Sequence, residues 1–199
     1  MSHLVTTSEA LQYLVEGPND KIGYVKHFYF NEREWKLASI QVSTGVGLRP
    51  GFSPGFIQDL RRTHPIIPCS LVAWVDISSR RIFLKQDLDN LPPEIYQDSA
   101  AQGLHTTEDL RHLELHTPEG SFGKVEDLLF DYKGWQIEHF VIRTHKFFGG
   151  RHILISPNQV EKISWSDSRL HTTLHKSDVL KAPEYKHSDS HFQATHRFG

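Results

Sequence analysis

The chain has 199 residues, 38% hydrophobic and 23% charged, and 22 Lys+Arg against 24 Asp+Glu leave a net charge of -2. That composition describes a soluble globular protein with room for one large domain or two of roughly 100 residues each, and it excludes a disordered or membrane-spanning chain. The missing basic excess argues against a protein built mainly to hold nucleic acid, and a single cysteine rules out an intramolecular disulfide, which fits a reducing, cytoplasmic setting.

The N-terminal stretch MSHLVTTSEALQYLV lacks a basic region followed by an apolar core, so no signal peptide is expected. An internal repeat comes next. IGYVKHFYFNEREWKLASIQVST (22–44) aligns without gaps on FGKVEDLLFDYKGWQIEHFVIRT (122–144), pairing Gly23 with Gly123, Val25 with Val125, Phe30 with Phe130 and Trp35 with Trp135. The match resumes where Val72, Ser78 and Arg81 answer Val160, Ser166 and Arg169, and again at Pro93-Glu94 against Pro183-Glu184.

The pattern inside each copy is β. In the second copy, Leu113 and Leu115 alternate with His112, Glu114 and His116, and Pro118-Glu119-Gly120 turns the chain into a strand from Phe122 to Asp131. A turn at 131–134 leads to a strand from Trp135 to Thr144. Strands at Arg151–Ser156 and Val160–Trp165 follow, then a last strand carrying Leu170, Thr172 and Leu174. Both copies share a slip in phase: Trp35 and Leu37 are followed by Ile40 and Val42, and Trp135 and Ile137 by Phe140 and Ile142. A one-residue slip in a period-2 pattern predicts a bulge or a bend. Helix is expected only as short turns at 106–110, 87–91 and 177–181. The first copy carries about a dozen extra residues between Gly45 and Leu71, rich in Gly, Pro and Phe.

GKVEDLLFD (123–131), Trp135, FVIRT (140–144), RHILISP (151–157) and the closing Ala182-Pro183-Glu184-Tyr185 together resemble the PRC-barrel family. This small β-barrel occurs in the cytoplasmic part of the photosynthetic reaction centre H subunit and in the C-terminal domain of the ribosome maturation factor RimM. The first copy is similar from Lys21 to Gly45 and then departs. The resemblance implies a barrel fold and an adaptor role, with no shared catalytic residues to carry over. The H subunit's membrane helix and the maturation factor's N-terminal domain have no counterpart here, so neither specialised function transfers. A stand-alone bacterial tandem-barrel protein is the nearest resemblance.

The expected architecture is therefore mainly β, two tandem small PRC-like β-barrels, each closing its own sheet. Repeat 1 covers 1–96 with a long insert at 45–71, a linker 97–105, repeat 2 covers 106–185, and a His-containing tail 186–199 follows. The candidate metal ligands are His112, His116, His171 and His175, which would share a surface if the first and last strands of repeat 2 were neighbours. His187, His191 and His196 lie in the tail. Cys69, with His64 five residues earlier, reads as a buried thiol in an apolar run and not as a nucleophile. Glu126, Asp127 and Asp131 cluster, but Lys26, His27 and Asn31 stand at the matching positions, so turn capping by Asp131 and Asn31 is the better reading. Arg61-Arg62 and Arg80-Arg81 are short basic pairs that carry the alternative of an RNA- or ribosome-associated factor, as the four histidines carry that of a metal-binding protein. No common nucleotide, hydrolase or metalloprotease motif is present in the sequence. The reading is a non-enzymatic adaptor without cofactor, binding a protein partner or a second copy through Phe52, Phe56, Arg61 and Arg62 of the insert. Nucleic acid is not the expected partner, and no direct membrane insertion is expected.

Overall fold

The computed structural model describes residues 3–44, 64–87, 90 and 104–186. In chain order the elements begin with β1 (Leu4–Thr6), α1 (Thr7–Ala10), β2 (Leu14–Glu16), β3 (Lys21–Asn31), β4 (Lys36–Ser43), β5 (Ile66–Pro68), β6 (Val72–Asp76) and β7 (Arg81–Leu84). They continue with β8 (His105–Thr106), α2 (Thr107–Leu110), β9 (Glu114–Thr117), β10 (Gly120–Asp131), β11 (Ile137–Thr144) and β12 (His152–Ile155). The last are β13 (Val160–Ser164), β14 (Arg169–Thr172) and α3 (Lys176–Lys181).

The chain divides into an N-terminal unit, residues 9–106, and a C-terminal unit, residues 107–199 together with 1–8. Each holds one seven-stranded sheet. The strand order is β5-β4-β3-β2-β7-β6 with β8 added on β3 in the first, and β12-β11-β10-β9-β14-β13 with β1 added on β10 in the second. Neighbours are antiparallel except β2–β7 and β9–β14, which are parallel. Each sheet gains one strand from the far end of its stretch of chain: β1, expected to open the first repeat, belongs to the C-terminal unit, and β8, just before the second repeat, belongs to the N-terminal unit.

The expectation of closed barrels is corrected. Among the described residues the end strands β5 and β6 do not pair, nor do β12 and β13, so each sheet is open along its ladder. The reason lies in the links. A single 3-10 turn, Cys69–Leu71 in one unit and Pro157–Gln159 in the other, joins the two end strands. The corner is thus turned by covalent chain where a barrel would use hydrogen bonds.

The hairpins β3–β4 and β10–β11 organise both sheets. Val125 pairs with Ile142 but Asp127 with Val141, leaving Glu126 as an extra residue on β10. Leu129 pairs with His139 but Phe130 with Ile137, leaving Glu138 extra on β11. The shifts at Val25/His27 and Tyr29/Phe30 fall at the matching positions of β3–β4. The second shift of each hairpin is the bulge that the slipped alternation predicts. Gly123 permits the hairpin's close approach: a Cβ there would stand 2.5 Å from the Arg143 carbonyl oxygen, and one on Gly23 would meet the Ser43 carbonyl.

Trp35 and Trp135 do not begin strands, as the sequence reading had Trp135 doing. They sit in the connecting turns with left-handed φ of 50° and 63°. That conformation costs a non-glycine residue about 1–2 kcal/mol. Asp131 caps the turn, accepting from Gly134 N at 2.8 Å, and its carbonyl accepts from Trp135 N at 2.7 Å. Asn31 plays the same part through Arg33 N at 2.9 Å. The strained turn brings Trp135 flat onto Phe130, with ring centroids 5.8 Å apart, and Trp35 onto Phe30 at 6.3 Å. Burying a large aromatic contributes about 3 kcal/mol or more, so packing outweighs the backbone strain at Trp135.

Both faces of β10–β11 are covered. Phe122, Val125, Phe130, Ile137, Phe140 and Ile142 are buried, and Leu129, Val141, Leu154 and Tyr185 form a separate cluster with Leu4 packed on it. Tyr185 arrives because the Ala182–Tyr185 segment folds back along β12, with Leu154 N donating to the Pro183 carbonyl and Tyr185 N to that of His152, each at 2.9 Å. On β1, Val5 pairs with Phe130. Beyond it, the buried Asp127 carboxylate accepts from Thr7 Oγ1 at 2.6 Å, Ser8 N at 3.2 Å and Leu128 N at 2.8 Å, and also from Ser8 Oγ.

Removing Asp127 leaves several buried donors unpaired, each costing about 1–3 kcal/mol. Asp127→Ala should lower stability by about 3 kcal/mol or more and raise amide exchange across residues 4–8 ahead of the rest of the C-terminal unit, as hydrogen exchange would show. Unchanged exchange in that segment would contradict the fastening role. Gly123→Ala should cost about 2–3 kcal/mol in denaturant unfolding, because the obstructing atom is backbone and cannot rotate away.

Candidate functional site

The four histidines read as candidate ligands do not converge. His116 on β9 and His171 on β14 are brought side by side by the parallel pairing, with ring centroids 5.8 Å apart. His112 lies in the turn after α2, 83% exposed, with Glu108 at 4.0 Å. His175 is not on a strand with His171: β14 ends at Thr172, whose hydroxyl donates to the Gln159 carbonyl at 2.6 Å and accepts from Leu174 N at 3.2 Å. The chain leaves the sheet there and His175 stands at the head of α3, its Nδ1 2.6 Å from Glu119 Oε1. Among the described residues no group of three or more His, Cys, Asp or Glu side chains could hold a metal ion. Among the described residues His116 and His171 thus form a pair, with Glu114 Oε2 3.6 Å from His116 Nε2, and not a metal-holding group.

The other sequence candidates serve structure where the structure describes them. Cys69 is buried, and burial pushes its thiol well above the ordinary thiol range, so the nucleophilic thiolate is suppressed. Asp127 and Asp131 are engaged in the bonds described above. Glu126 faces the surface and pairs with His152 at 2.5 Å and Arg143 at 3.9 Å. Arg81 donates to Glu16 at 3.1 Å and Arg80 to Gln12 at 3.4 Å. Phe52, Phe56, Arg61, Arg62, His187, His191 and His196 lie outside the described residues.

Two surface features escape the sequence reading. On the N-terminal unit, Trp74 of β6 pairs across the ladder with Phe83 of β7. Their rings stack at 4.4 Å and 21°, yet Trp74 is 57% exposed. A register shift between Val72 and Trp74 turns both Ala73 and Trp74 outward on an edge strand. The stacked pair lines a depression with the 16–21 turn and Lys85. That turn is held by Gly17 N to the Asp20 carbonyl at 2.8 Å and by Asn19, which donates twice to Asp87 at 2.8 and 2.7 Å. On the C-terminal unit, Phe147 at the tip of the β11–β12 connection is 90% exposed. Its neighbour Phe148 is anchored flat on Phe122 at 4.3 Å.

The His175–Glu119 pair titrates in a defined direction. Its hydrogen bond and charge raise the His175 pKa, and the same bond lowers that of Glu119. The stabilisation is full between the ordinary carboxylate and ordinary imidazole values. It is lost as pH rises through the raised value of His175 or falls through the lowered value of Glu119. Glu119→Gln should move the His175 NMR titration midpoint downward; an unmoved midpoint would rule out the pairing in solution. In comparisons with known proteins, no family model and no curated protein sequence matches the chain.

Proposed function

We propose that this chain is a non-enzymatic binding or adaptor protein of the PRC-barrel type, acting in the cytoplasm through a protein partner. The observation that carries the reading is Trp74. A large aromatic ring half-open to water on an edge strand, backed by a second ring and bordered by a tied turn, is the preorganised kind of anchor that dominates protein interfaces. Further support comes from the residues that hinted at chemistry: Cys69 and Asp127 are buried in structural roles.

The same reading treats the two units as copies of one PRC-like barrel with its last corner left unladdered. Its support is the matched strand order and the bulges that recur 100 residues apart, at Val25/His27 and Val125/Asp127 and at Tyr29/Phe30 and Leu129/Phe130. The aromatic edge itself is not shared. In the C-terminal unit the pair aligned with Trp74 and Phe83 is Lys162 and His171. A shared scaffold carrying different surfaces suits a binding module better than a duplicated active site.

Affinity capture from the native cell, with and without nuclease, tests the assignment. Wild type should recover a defined protein under both conditions. Trp74→Ala should weaken that complex by roughly 30-fold or more, the loss of an interface anchor worth about 2 kcal/mol. Recovery indifferent to Trp74→Ala, or lost with nuclease, would overturn it.

A further inference from the structure

Phe147 sits on a built promontory. The 3-10 turn Lys146–Phe148 carries it, and the turn closes on itself through Phe148 N to the His145 carbonyl at 2.8 Å and Gly149 N to that of Lys146 at 3.0 Å. Gly149 and Gly150 follow with φ of 96° and 61°, a return that glycine makes without strain. Below the tip, Phe148 stacks on buried Phe122, and Phe147 meets Phe148 edge-on at 5.4 Å. The tip is thus braced from beneath while Phe147 itself stays almost wholly in water.

One cation lies beside it and another against its brace. Lys146 is exposed beside it, Lys176 Nζ lies 4.7 Å over the Phe148 ring, and the Arg151 guanidinium is fixed on the Leu180 carbonyl at the end of α3. Leu180 is itself partly exposed. Carboxylates share this end of the unit: Glu119 takes His175 Nδ1 and Lys176 N, Asp178 takes His175 N, and exposed Glu184 follows α3.

We propose that this tip is a peripheral membrane contact, with Phe147 entering the interface of an anionic bilayer while Lys146, Lys176 and Arg151 lie against its headgroups. A protruding apolar side chain above a basic collar matches a surface that is apolar a few ångströms down and negative on top. The contact is interfacial. Among the described residues no helix is long and apolar enough to cross a membrane. The proposal revises the sequence expectation of no direct membrane insertion, and it is independent of the Trp74 reading.

The test is vesicle flotation of the full chain with phosphatidylcholine alone and with phosphatidylcholine containing phosphatidylglycerol. Wild type should bind the anionic vesicles weakly and reversibly, because a single apolar group with a basic patch makes a marginal anchor, and binding should fall with salt. Phe147→Ser should reduce binding about 10-fold, and Phe147→Trp should retain it. Lys146→Ala/Lys176→Ala should reduce binding to anionic vesicles roughly 25-fold, about fivefold per cation, and flatten the salt dependence. These are surface substitutions, and unchanged thermal melting confirms folding. Absence of wild-type binding to anionic vesicles, or binding indifferent to Phe147→Ser, overturns the proposal. Loss of a captured protein by Phe147→Ser without vesicle binding would reassign the tip to a protein interface.

Discussion

A strand with one partner along most of its length on one side, and two successive partners on the other, has to bend where the second side changes hands. β10 is such a strand. β11 lines it from Gly123 to Phe130, while β9 occupies the other edge up to Lys124 and β1 takes it from Leu129. The bulge at Glu126 falls between those two partners. It also places Asp127 where its carboxylate receives the hydroxyl and backbone donors of Thr7 and Ser8 just past β1. The placement of β1 and the cover over Leu129 and Val141 follow from that bend. β3 follows the same plan with β2, β4 and β8, but its residue aligned with Asp127 is His27, so the carboxylate fastening belongs to the C-terminal unit.

The candidate surfaces are consequences of the same scaffold. In a sheet whose inner positions are filled by Phe, Ile, Leu and Val, variation is free at the edge strands and connections. Trp74 and Phe83 occupy one edge, and the aligned ladder position of the other unit holds Lys162 and His171. The β11–β12 connection carries Phe147 because Phe148 beneath it is stacked on a core residue. Without that anchor a Gly-Gly-containing loop would have no fixed tip to present.

At two of the four non-glycine positive-φ positions among the described residues, an aromatic ring packs where the backbone is strained. Trp35 and Trp135 adopt a left-handed conformation usually left to glycine or asparagine, and both lie flat on a core phenylalanine. Arg80 and Ser168, also at positive φ, lie in the turns that join β6–β7 and β13–β14. The first of these is held by Asp76, whose carboxylate takes the backbone and hydroxyl donors of Ser78 and Ser79, which hold its pKa down to about 2.

Local chemistry made much of this fold legible in the sequence. Alternation of apolar and polar residues marked the strands, the slipped phase after Leu37 and Ile137 marked a bulge in each hairpin, and Asn31 and Asp131 announced their turns, because each signal depends only on neighbours a few residues apart. What the sequence could not decide depends on pairing at long range. The seating of β1 on β10 and β8 on β3 joins segments far apart in the chain. The unladdered corner follows from how the end strands are linked, and His116 lies beside His171 because β9 and β14 run parallel. The surfaces were hidden for the same reason. A tryptophan in an apolar run reads as core, and only the shifted register of β6 turns Trp74 outward. A phenylalanine beside two glycines reads as part of a break in the strand, and only the stacking of Phe148 on Phe122 makes Phe147 a fixed, exposed tip.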